Sequence, residues 1–374
     1  MSVLSQFRPE EGGGGSSVSV GNVVAATDTT YTLDPTLARN YTIELSASNA
    51  VIDFDTTATD YSQGSFTIIP NSTNANWELS STFVNAVDFD HPVVGLPTDF
   101  AFIEGNKKNI STFKSSLWYS DWSPDGSKFY VGDLTSLEQH NLSPGSEFDL
   151  SAAVDPADAT LSFSSSMRNS FAFNADGTKL IMCDEESPAA FWECTLSTPY
   201  DIGTASAQVS VATFTKASSS SDIYGMAFNH DGTKLCVIER DKGVHGFVLS
   251  TPYDVTSVTH HEFNYVGNGA ETLRQPALLQ GDWFMGSSSD SQGTLTIYKI
   301  GDLGFVDKVY LKTFAETNIT EHRQYNLYSN GFCYIRGVLQ SSSIGIVGRT
   351  PSKTRYWYTQ IGSDVYIDKA EGVM

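Results

Sequence analysis

Two acidic clusters and a pair of histidines are the residues whose types and spacing could do chemistry. Carboxylates in flexible loops are ligands for Ca²⁺, and the sequence places such groups at Asp184 to Glu186 and at Asp88 to His91. Neither cluster has the spaced Asp/Asn order of an EF-hand loop, so solvated surface charge is the favoured interpretation. His260 and His261 are adjacent, and adjacent side chains of a strand point to opposite faces and cannot share one ion. We expect no cofactor, and a surface Ca²⁺ site in a loop stays open as the alternative.

Catalytic motifs are missing from the 374 residues. There is no GxSxG nucleophile elbow, HExxH zinc helix, phosphate-binding loop or dinucleotide-binding glycine pattern. The four cysteines have no CxxC spacing and no histidine at the distance of a zinc site, which indicates buried thiols. We therefore expect a protein that is not an enzyme.

The charge balance limits the partners. Lys and Arg total 22 against 43 Asp and Glu, giving a net charge of -21, and the basic residues form no patch that could neutralise phosphates. This disfavours nucleic acid as a partner, and the acidic surface repels anionic membranes while keeping crowded copies soluble. The first twenty residues lack an apolar signal-peptide core, and no window approaches eighteen consecutive apolar residues. We expect synthesis in a cytoplasm and no membrane insertion.

The N-terminal quarter contains an arm followed by a small β domain. Residues 1–25 contain four consecutive glycines and then serines, which is typical of a flexible linker, with a short docking peptide as the alternative. In residues 26–95, apolar positions such as Tyr41, Ile43 and Leu45 alternate with polar ones. This period of two predicts an antiparallel, β-sandwich-like module for attachment or oligomerisation.

A repeat of about 50 residues fills the remainder, residues 96–374. FNADGTKLIMCD begins at Phe173 and FNHDGTKLCVIE begins at Phe228, and a third copy, WSPDGSKFYV, begins at Trp122; the aromatic residues are 51 and 55 positions apart. A second marker, LSTPYD, begins at Leu196 and at Leu249, in phase with the first. Two markers in register indicate a repeated structural unit.

Each repeat has the residues of a hairpin followed by two further strands. In the turn, Asp can cap the backbone and Gly supplies the positive φ that a tight hairpin needs. The predicted turn residues are Asp125, Gly126, Asp176, Gly177, Asp231 and Gly232. Four strands in about 50 residues are typical of a propeller blade, so the predicted fold is all-β, with a β-propeller after the first module. Five predicted turns favour five blades. A sixth blade would require a degenerate copy of the repeat in residues 85–115. The strand-like part of that region could instead pair with the last blade and close the ring.

The loops opposite the Asp-Gly turns are the candidate ligand surface, by analogy with other propellers. The composition of these loops differs between blades, whereas the Asp-Gly turns stay uniform. A variable binding surface would produce this difference, and neutral drift in loops would produce it equally. The candidate residues are Arg168, Asp184, Glu185, Asp222, Arg240, Asp241, Lys242 and Arg274.

Both parts of the chain resemble bacteriophage proteins. The repeats resemble SPDGTKLYV-type propeller repeats, and the corners at residues 198–202 and 251–255 resemble the LSTPWD-type corners of tail fibres and other virion proteins, with Tyr in place of Trp. The stretch YTLDPTLARNYTIELSASNAVIDFD and the following GSFTIIPNSTNANWELSSTFV resemble a phage tail-fibre module. Its last strand departs from that family, because Trp77 is followed by Glu78 where the family has proline.

The resemblance implies a non-enzymatic virion structural protein, made in the host cytoplasm and assembled as a tail-fibre-type appendage. Its N-terminal region would bind other virion proteins and form a homo-oligomer such as a trimer, and its propeller would bind a glycan or protein of the host surface. A head-decoration or head-fibre protein is the alternative within this class. An enzyme acting on polysaccharide is the alternative from another class.

Overall fold

The computed structural model is built from β-strands, with two short 3-10 helices at Ile110–Thr112 and Ile202–Thr204. It describes residues 20–23, 30–37, 40–45, 50–57, 59, 61–70, 77–85, 101–114, 117–164, 171–229, 231–264, 273–280, 283–288, 294–302, 306–313, 321–327, 332–339, 342–349 and 353–373. In these ranges the strands form seven sheets, which confirms the all-β prediction. No helix in the same ranges is long and apolar enough to cross a membrane.

The first module contains two sheets that pack face to face. One sheet contains β1 (Val20–Val23), β3 (Asn40–Leu45) and β5 (Tyr61–Pro70), and the other contains β2 (Thr30–Leu33), β4 (Ala50–Phe54) and β6 (Trp77–Leu79). Alternate side chains are buried between the sheets, as a period of two requires. The buried set includes Tyr31, Leu33, Tyr41, Ile43, Leu45, Ile52, Phe54, Phe66 and Ile68.

The strands of this module pair in parallel, which corrects the antiparallel prediction for residues 26–95. β1 pairs with β3 and β3 with β5, while β2 pairs with β4 and β4 with β6, and all four pairings are parallel. Each connection carries the chain from one sheet to the other, so neighbours within a sheet are two strands apart in sequence. Alternation in a sequence marks the buried face of a strand but does not specify the direction of its neighbour.

Five four-stranded antiparallel sheets lie in the described part of the propeller, preceded by β7 (Ala101–Asn109). Blade one contains β8 (Tyr119–Trp122), β9 (Lys128–Gly132), β10 (Ser136–Asn141) and β11 (Ala159–Ser162); blade two contains β12 (Phe171–Phe173), β13 (Lys179–Cys183), β14 (Ala189–Thr195) and β15 (Val209–Phe214). Blade three contains β16 (Ile223–Phe228), β17 (Lys234–Glu239), β18 (Gly243–Leu249) and β19 (Val258–Asn264); blade four contains β20 (Leu273–Gln280), β21 (Trp283–Ser288), β22 (Thr294–Ile300) and β23 (Val306–Thr313). Blade five contains β24 (Glu321–Leu327), β25 (Phe332–Leu339) and β26 (Ser342–Arg349), with β7 as its outermost strand.

The ring closes between blade five and blade one. β7 pairs antiparallel with β26, so a strand from before blade one completes blade five. Tyr334 of blade five lies edge-on to Phe129 and Trp122 of blade one, with ring centroids 5.7 and 6.5 Å away. Its hydroxyl is 2.8 Å from the hydroxyl of Ser120. Similar buried clusters join blades one and two, two and three, and three and four, as where Phe191 of blade two packs against Phe247 of blade three.

The C-terminal hairpin belongs to the sheet of the first module, whereas the sequence assigned all of residues 96–374 to the propeller. β27 (Lys353–Ile361) pairs antiparallel with β5, and β28 (Asp364–Val373) pairs with β27 at the edge of that sheet. Tyr356 stacks on Phe66, with ring centroids 4.9 Å apart. Because β7 already fills the outer position of blade five, the last two strands find their partners in the module. The propeller is therefore inserted between β6 and β27.

Candidate functional site

The Asp-Gly turns of blades one to three are hairpins closed by side-chain hydrogen bonds. Their residues are Asp125, Gly126, Asp176, Gly177, Asp231 and Gly232. The three glycines have φ of +73°, +69° and +73°, in the left-handed region that glycine enters without strain. Each aspartate accepts a hydrogen bond from the backbone N–H two residues later. Hydrogen bonds from Thr178 hold the pKa of Asp176 below its ordinary value.

An aromatic corner residue covers each of these glycines. Phe148, Tyr200 and Tyr253 have φ of +59°, +58° and +57°, and each backbone N–H donates to the carbonyl of the glycine that its ring covers. A Cβ atom at Gly177 would lie 2.3 Å from the ring of Tyr200. The two repeated motifs therefore contact each other and form one structural unit of the blade.

The opposite end of blades two and three brings together three predicted charged residues. Arg240 pairs with Asp222 and with Asp241, and both N–O distances are 3.1 Å. The hydrogen bond that Arg240 donates to Asp222, followed by the charge of Tyr224, raises the pKa of Arg240. Its guanidinium lies 5.5 Å from the ring centre of Tyr224. Exposed ion pairs of this kind contribute about 0–1 kcal/mol, so their main effect here is to orient the charges.

Asp184 stabilises a hairpin of blade two. The side chain is buried and accepts hydrogen bonds of 2.8 Å from the backbone of Ala190 and from the indole N–H of Trp192. It closes the hairpin between β13 and β14 and fixes the orientation of the indole. Asp184 therefore does not face solvent as a loop ligand.

Glu185 joins the site through its backbone. The buried Lys216 donates from Nζ to the carbonyl oxygens of Glu185 and Ser221, at 2.6 Å each. Lys216 thereby ties the loop after β13 to the segment that enters blade three. We call loops 184–188, 215–222 and 240–242 the seam loops, because they meet between blades two and three.

The remaining predicted residues are not part of this group of ion pairs. Lys242 is half-buried, and its backbone N–H donates to the carbonyl of Glu239. Arg168 lies outside the described residues, and so does the side chain of Arg274, whose backbone belongs to β20. The structure thus groups Asp222, Arg240 and Asp241 on the seam, with Glu185 contributing a carbonyl group.

A buried carboxylate beneath the seam loops is a feature that sequence reasoning missed. Glu239 is fully buried and accepts hydrogen bonds from the backbone of Ala217 at 2.7 Å and Ser218 at 2.9 Å. It also accepts from the hydroxyl of Ser221 and, at 2.8 Å, from Nε2 of His245. Both Glu239 and His245 stand within strongly apolar strands, and a polar residue in such a run is the signal that could have found them.

The chemistry of this network suits positioning better than catalysis. Burial raises the pKa of Glu239, but hydrogen bonds from His245, Ser221 and the backbone lower it more, to about 2. A carboxylate that weakly basic is a poor general base near neutral pH. The Ser221 hydroxyl donates to the carboxylate, whereas an activated serine donates to an imidazole.

The two adjacent histidines of β19 have different surroundings. Nε2 of His261 lies 3.0 Å from Nδ1 of His245, and its ring stacks on Phe247 with centroids 4.2 Å apart. His260 is exposed and lies beside the hydroxyl of Thr259. His261 is also exposed at the sheet edge, but desolvation of its ring beside Phe214 and Phe247, followed by the charge of His245, lowers its pKa to about 4.

Metal ligands are not grouped in the part of the chain that the structure describes. Within it, no three His, Cys, Asp or Glu side chains are arranged to hold an ion. The predicted acidic cluster at residues 88–91 lies outside the described ranges. In the other cluster, Asp184 is engaged by Ala190 and Trp192, as described above.

No family model matches the chain, and no curated protein is significantly similar to it. Among solved structures, U3-55K is 11% identical, with 73% of this chain and 86% of that chain covered and a TM-score of 0.39. A protein described as a 6-phosphogluconolactonase from Bacteroides uniformis is 14% identical, with 67% and 69% covered and a TM-score of 0.39. A periplasmic gluconolactonase from Pseudomonas aeruginosa is 10% identical, with 68% and 71% covered and a TM-score of 0.38. The propeller described above is derived from the strand pairing of this chain.

Proposed function

We propose that the protein is a non-enzymatic virion component, a tail-fibre-type appendage of a bacteriophage that presents its propeller for binding. The observation that carries the proposal is the seam, where Asp222, Arg240 and Asp241 meet in loops whose composition differs from blade to blade. Their side chains are ion-paired at the surface, and the carboxylate beneath them is occupied in holding the loops. The resemblance of both parts of the chain to phage proteins supplies the virion context.

The first module is the attachment part in this proposal. Its sheet contains β1 from the N-terminal side and β28 from the C-terminal side, so the inserted propeller is held at both of its ends. Two covalent connections to one base suit a domain that projects from a particle. We propose that this module binds other virion proteins and assembles into a homo-oligomer.

The chemistry of the seam favours a polar partner on the host surface. Arg240 offers a planar set of N–H donors between two carboxylates, a combination that suits the hydroxyl and carbonyl groups of a glycan or protein. The net charge of -21 opposes binding to nucleic acid.

Immunoelectron microscopy of purified particles tests the virion assignment. Gold-labelled antibody against this chain should decorate the tail, and the same antibody should block adsorption to host cells. Label on the head without an effect on adsorption would indicate a head-decoration protein. Particles without label would refute the proposal, and degradation of host capsule by the purified protein would indicate a polysaccharide-acting enzyme.

A variant of the seam tests the binding surface. Arg240→Ala should reduce adsorption about tenfold or more, because a hydrogen bond to a charged group contributes about 1.5–3 kcal/mol. Glu147→Ala removes an exposed charge near the Asp-Gly turn of blade one, at the opposite end, and serves as the matched control. Equal adsorption by the two variants would exclude the seam as the binding surface.

A further inference from the structure

Two histidines link the exposed edge of blade three to the buried carboxylate beneath the seam. His261 lies on the outermost strand β19 and is exposed, whereas His245 on β18 and Glu239 on β17 are fully buried. The distances are 3.0 Å from His261 Nε2 to His245 Nδ1 and 2.8 Å from His245 Nε2 to Glu239 Oε2. The three side chains form a continuous hydrogen-bonded row across three neighbouring strands.

Glu239 in turn holds a segment of the seam loops, residues 216–221, which we call the latch segment. The carboxylate accepts from the backbone N–H groups of Ala217 and Ser218 and from the hydroxyl of Ser221. Lys216 at its start donates to the carbonyl of Ser221 and to that of Glu185 in blade two. The position of the carboxylate therefore decides the conformation of a segment on the candidate binding surface.

Only one proton fits between the two facing nitrogens of the histidine rings. Nε2 of His245 donates to a carboxylate and so carries a proton, which leaves Nδ1 of His245 facing Nε2 of His261. One proton between these nitrogens gives a hydrogen bond in either direction. When both rings are protonated, each of the two facing nitrogens carries a proton, so N–H faces N–H and the two adjacent positive charges repel each other.

The groups packed around the pair determine where that proton can enter. Phe214 and Phe247 cover His261, and Phe263 covers His245, with ring centroids 4.2 to 5.9 Å apart, so these neighbours are uncharged. The charged group of the latch segment is Lys216, which is bonded to carbonyl oxygens. Asp222, Arg240 and Asp241 form their own ion pairs at the loop surface. His261, on the exposed strand, is the entry point.

We propose that the row His261, His245 and Glu239 makes the latch segment proton-linked: protonation of both histidine rings expels His261, frees His245 to move, and loosens the hold of Glu239 on residues 216–221. The burial and neighbouring charge that lower the pKa of His261 to about 4 place this transition in mild acid. Glu239, with a pKa of about 2, is still ionised there, so His261 titrates before the carboxylate.

NMR of the full chain, labelled at the histidine rings and backbone amides, tests this inference. Between pH 7 and 3, the amide signals of Ala217 and Ser218 should shift with the same midpoint, near pH 4, as the ring signals of His261. His261→Gln keeps a hydrogen-bonding group that cannot titrate, so the amide transition should disappear above pH 3. His260→Gln changes the neighbouring exposed histidine and should leave the transition unchanged.

Two outcomes would overturn the inference. The first is an amide transition that persists unchanged in His261→Gln, and the second is one that does not share the histidine midpoint in the unaltered protein. The second measurement needs no substitution and decides the matter even where His261→Gln fails to fold. None of these readouts uses a partner, so the result is independent of the proposed virion function.

Discussion

Tyr200 shows how the repeated motifs act at the scale of single residues. Its left-handed backbone conformation costs a non-glycine residue roughly 1–2 kcal/mol. In return the ring covers Gly177, the hydroxyl donates to the carbonyl of Ala175 and the backbone N–H donates to Gly177. The strain is thus offset by contacts that join the turn to the corner, and this explains why the two motifs recur in phase.

Gly177→Ala should be strongly destabilising. The methyl group would meet the Tyr200 ring, and the positive φ adds a backbone cost, so we expect the free energy of unfolding to fall by about 2–5 kcal/mol. Gly145→Ala is the matched control, since Gly145 has φ of +88° but nothing within 4 Å of the added Cβ. It should cost only the backbone term, about 1–2 kcal/mol. Equal losses in urea unfolding would contradict a role for the ring contact.

The pH dependence of stability should reflect Glu239. Its pKa is about 2 in the folded protein against 4.5 ordinarily, so its stabilising contribution is complete above pH 4.5 and is lost as the pH falls toward 2. For a buried group this shift corresponds to at most about 3 kcal/mol. Glu239→Gln should be less stable at pH 7 and should lose less stability than the unaltered protein between pH 5 and 2.

Denaturant unfolding at several pH values measures this difference, with Glu193→Gln as the control. Glu193 forms a partly buried ion pair with Lys179 at 3.0 Å, and its loss should cost about 1 kcal/mol or less. Parallel pH profiles for Glu239→Gln and the unaltered protein would show that the buried carboxylate does not contribute in this way.

At the scale of elements, the C-terminal hairpin is the part that completes the module. Tyr356, Tyr358, Val365 and Ile367 are buried in the core between the two module sheets. That core contains no residue of the five blades among the described positions. The hairpin therefore matters for the module and not for the packing between blades.

Tyr356→Ala should destabilise the module by about 3–5 kcal/mol, as expected for removing a large buried aromatic side chain. Tyr366→Ala, on the outer side of β28 where the side chain is half-buried, should cost about 1 kcal/mol or less. Calorimetry should show a lowered transition for the module while the transition of the propeller is unchanged. A lowered propeller transition would contradict the separation of the two cores.

At the scale of the whole molecule, the closed ring depends on β7. A chain that starts after residue 117 loses this strand and also loses Ile110 and Leu117, which cover the buried cluster between blades five and one, and newly exposed apolar surface promotes association. A fragment of residues 101–350 should be a monomer, whereas a fragment of residues 118–350 should self-associate. Light scattering coupled to size-exclusion chromatography distinguishes them, and a monomeric shorter fragment would show that β7 is dispensable for closure.

The sequence by itself determined the local features of this protein. The turns at Asp176-Gly177 and Asp231-Gly232, the buried face of each module strand and the favoured count of five blades all follow from spacing and alternation, because those patterns express rules within a few residues. Only the tertiary structure decided which strands are neighbours. The parallel pairing of the module, the return of β27 to β5 and the row from His261 to Glu239 join residues between which the sequence contains no local signal. A strand's pattern records which side is buried, whereas its partner is chosen by the surface that remains uncovered when the rest of the chain has folded.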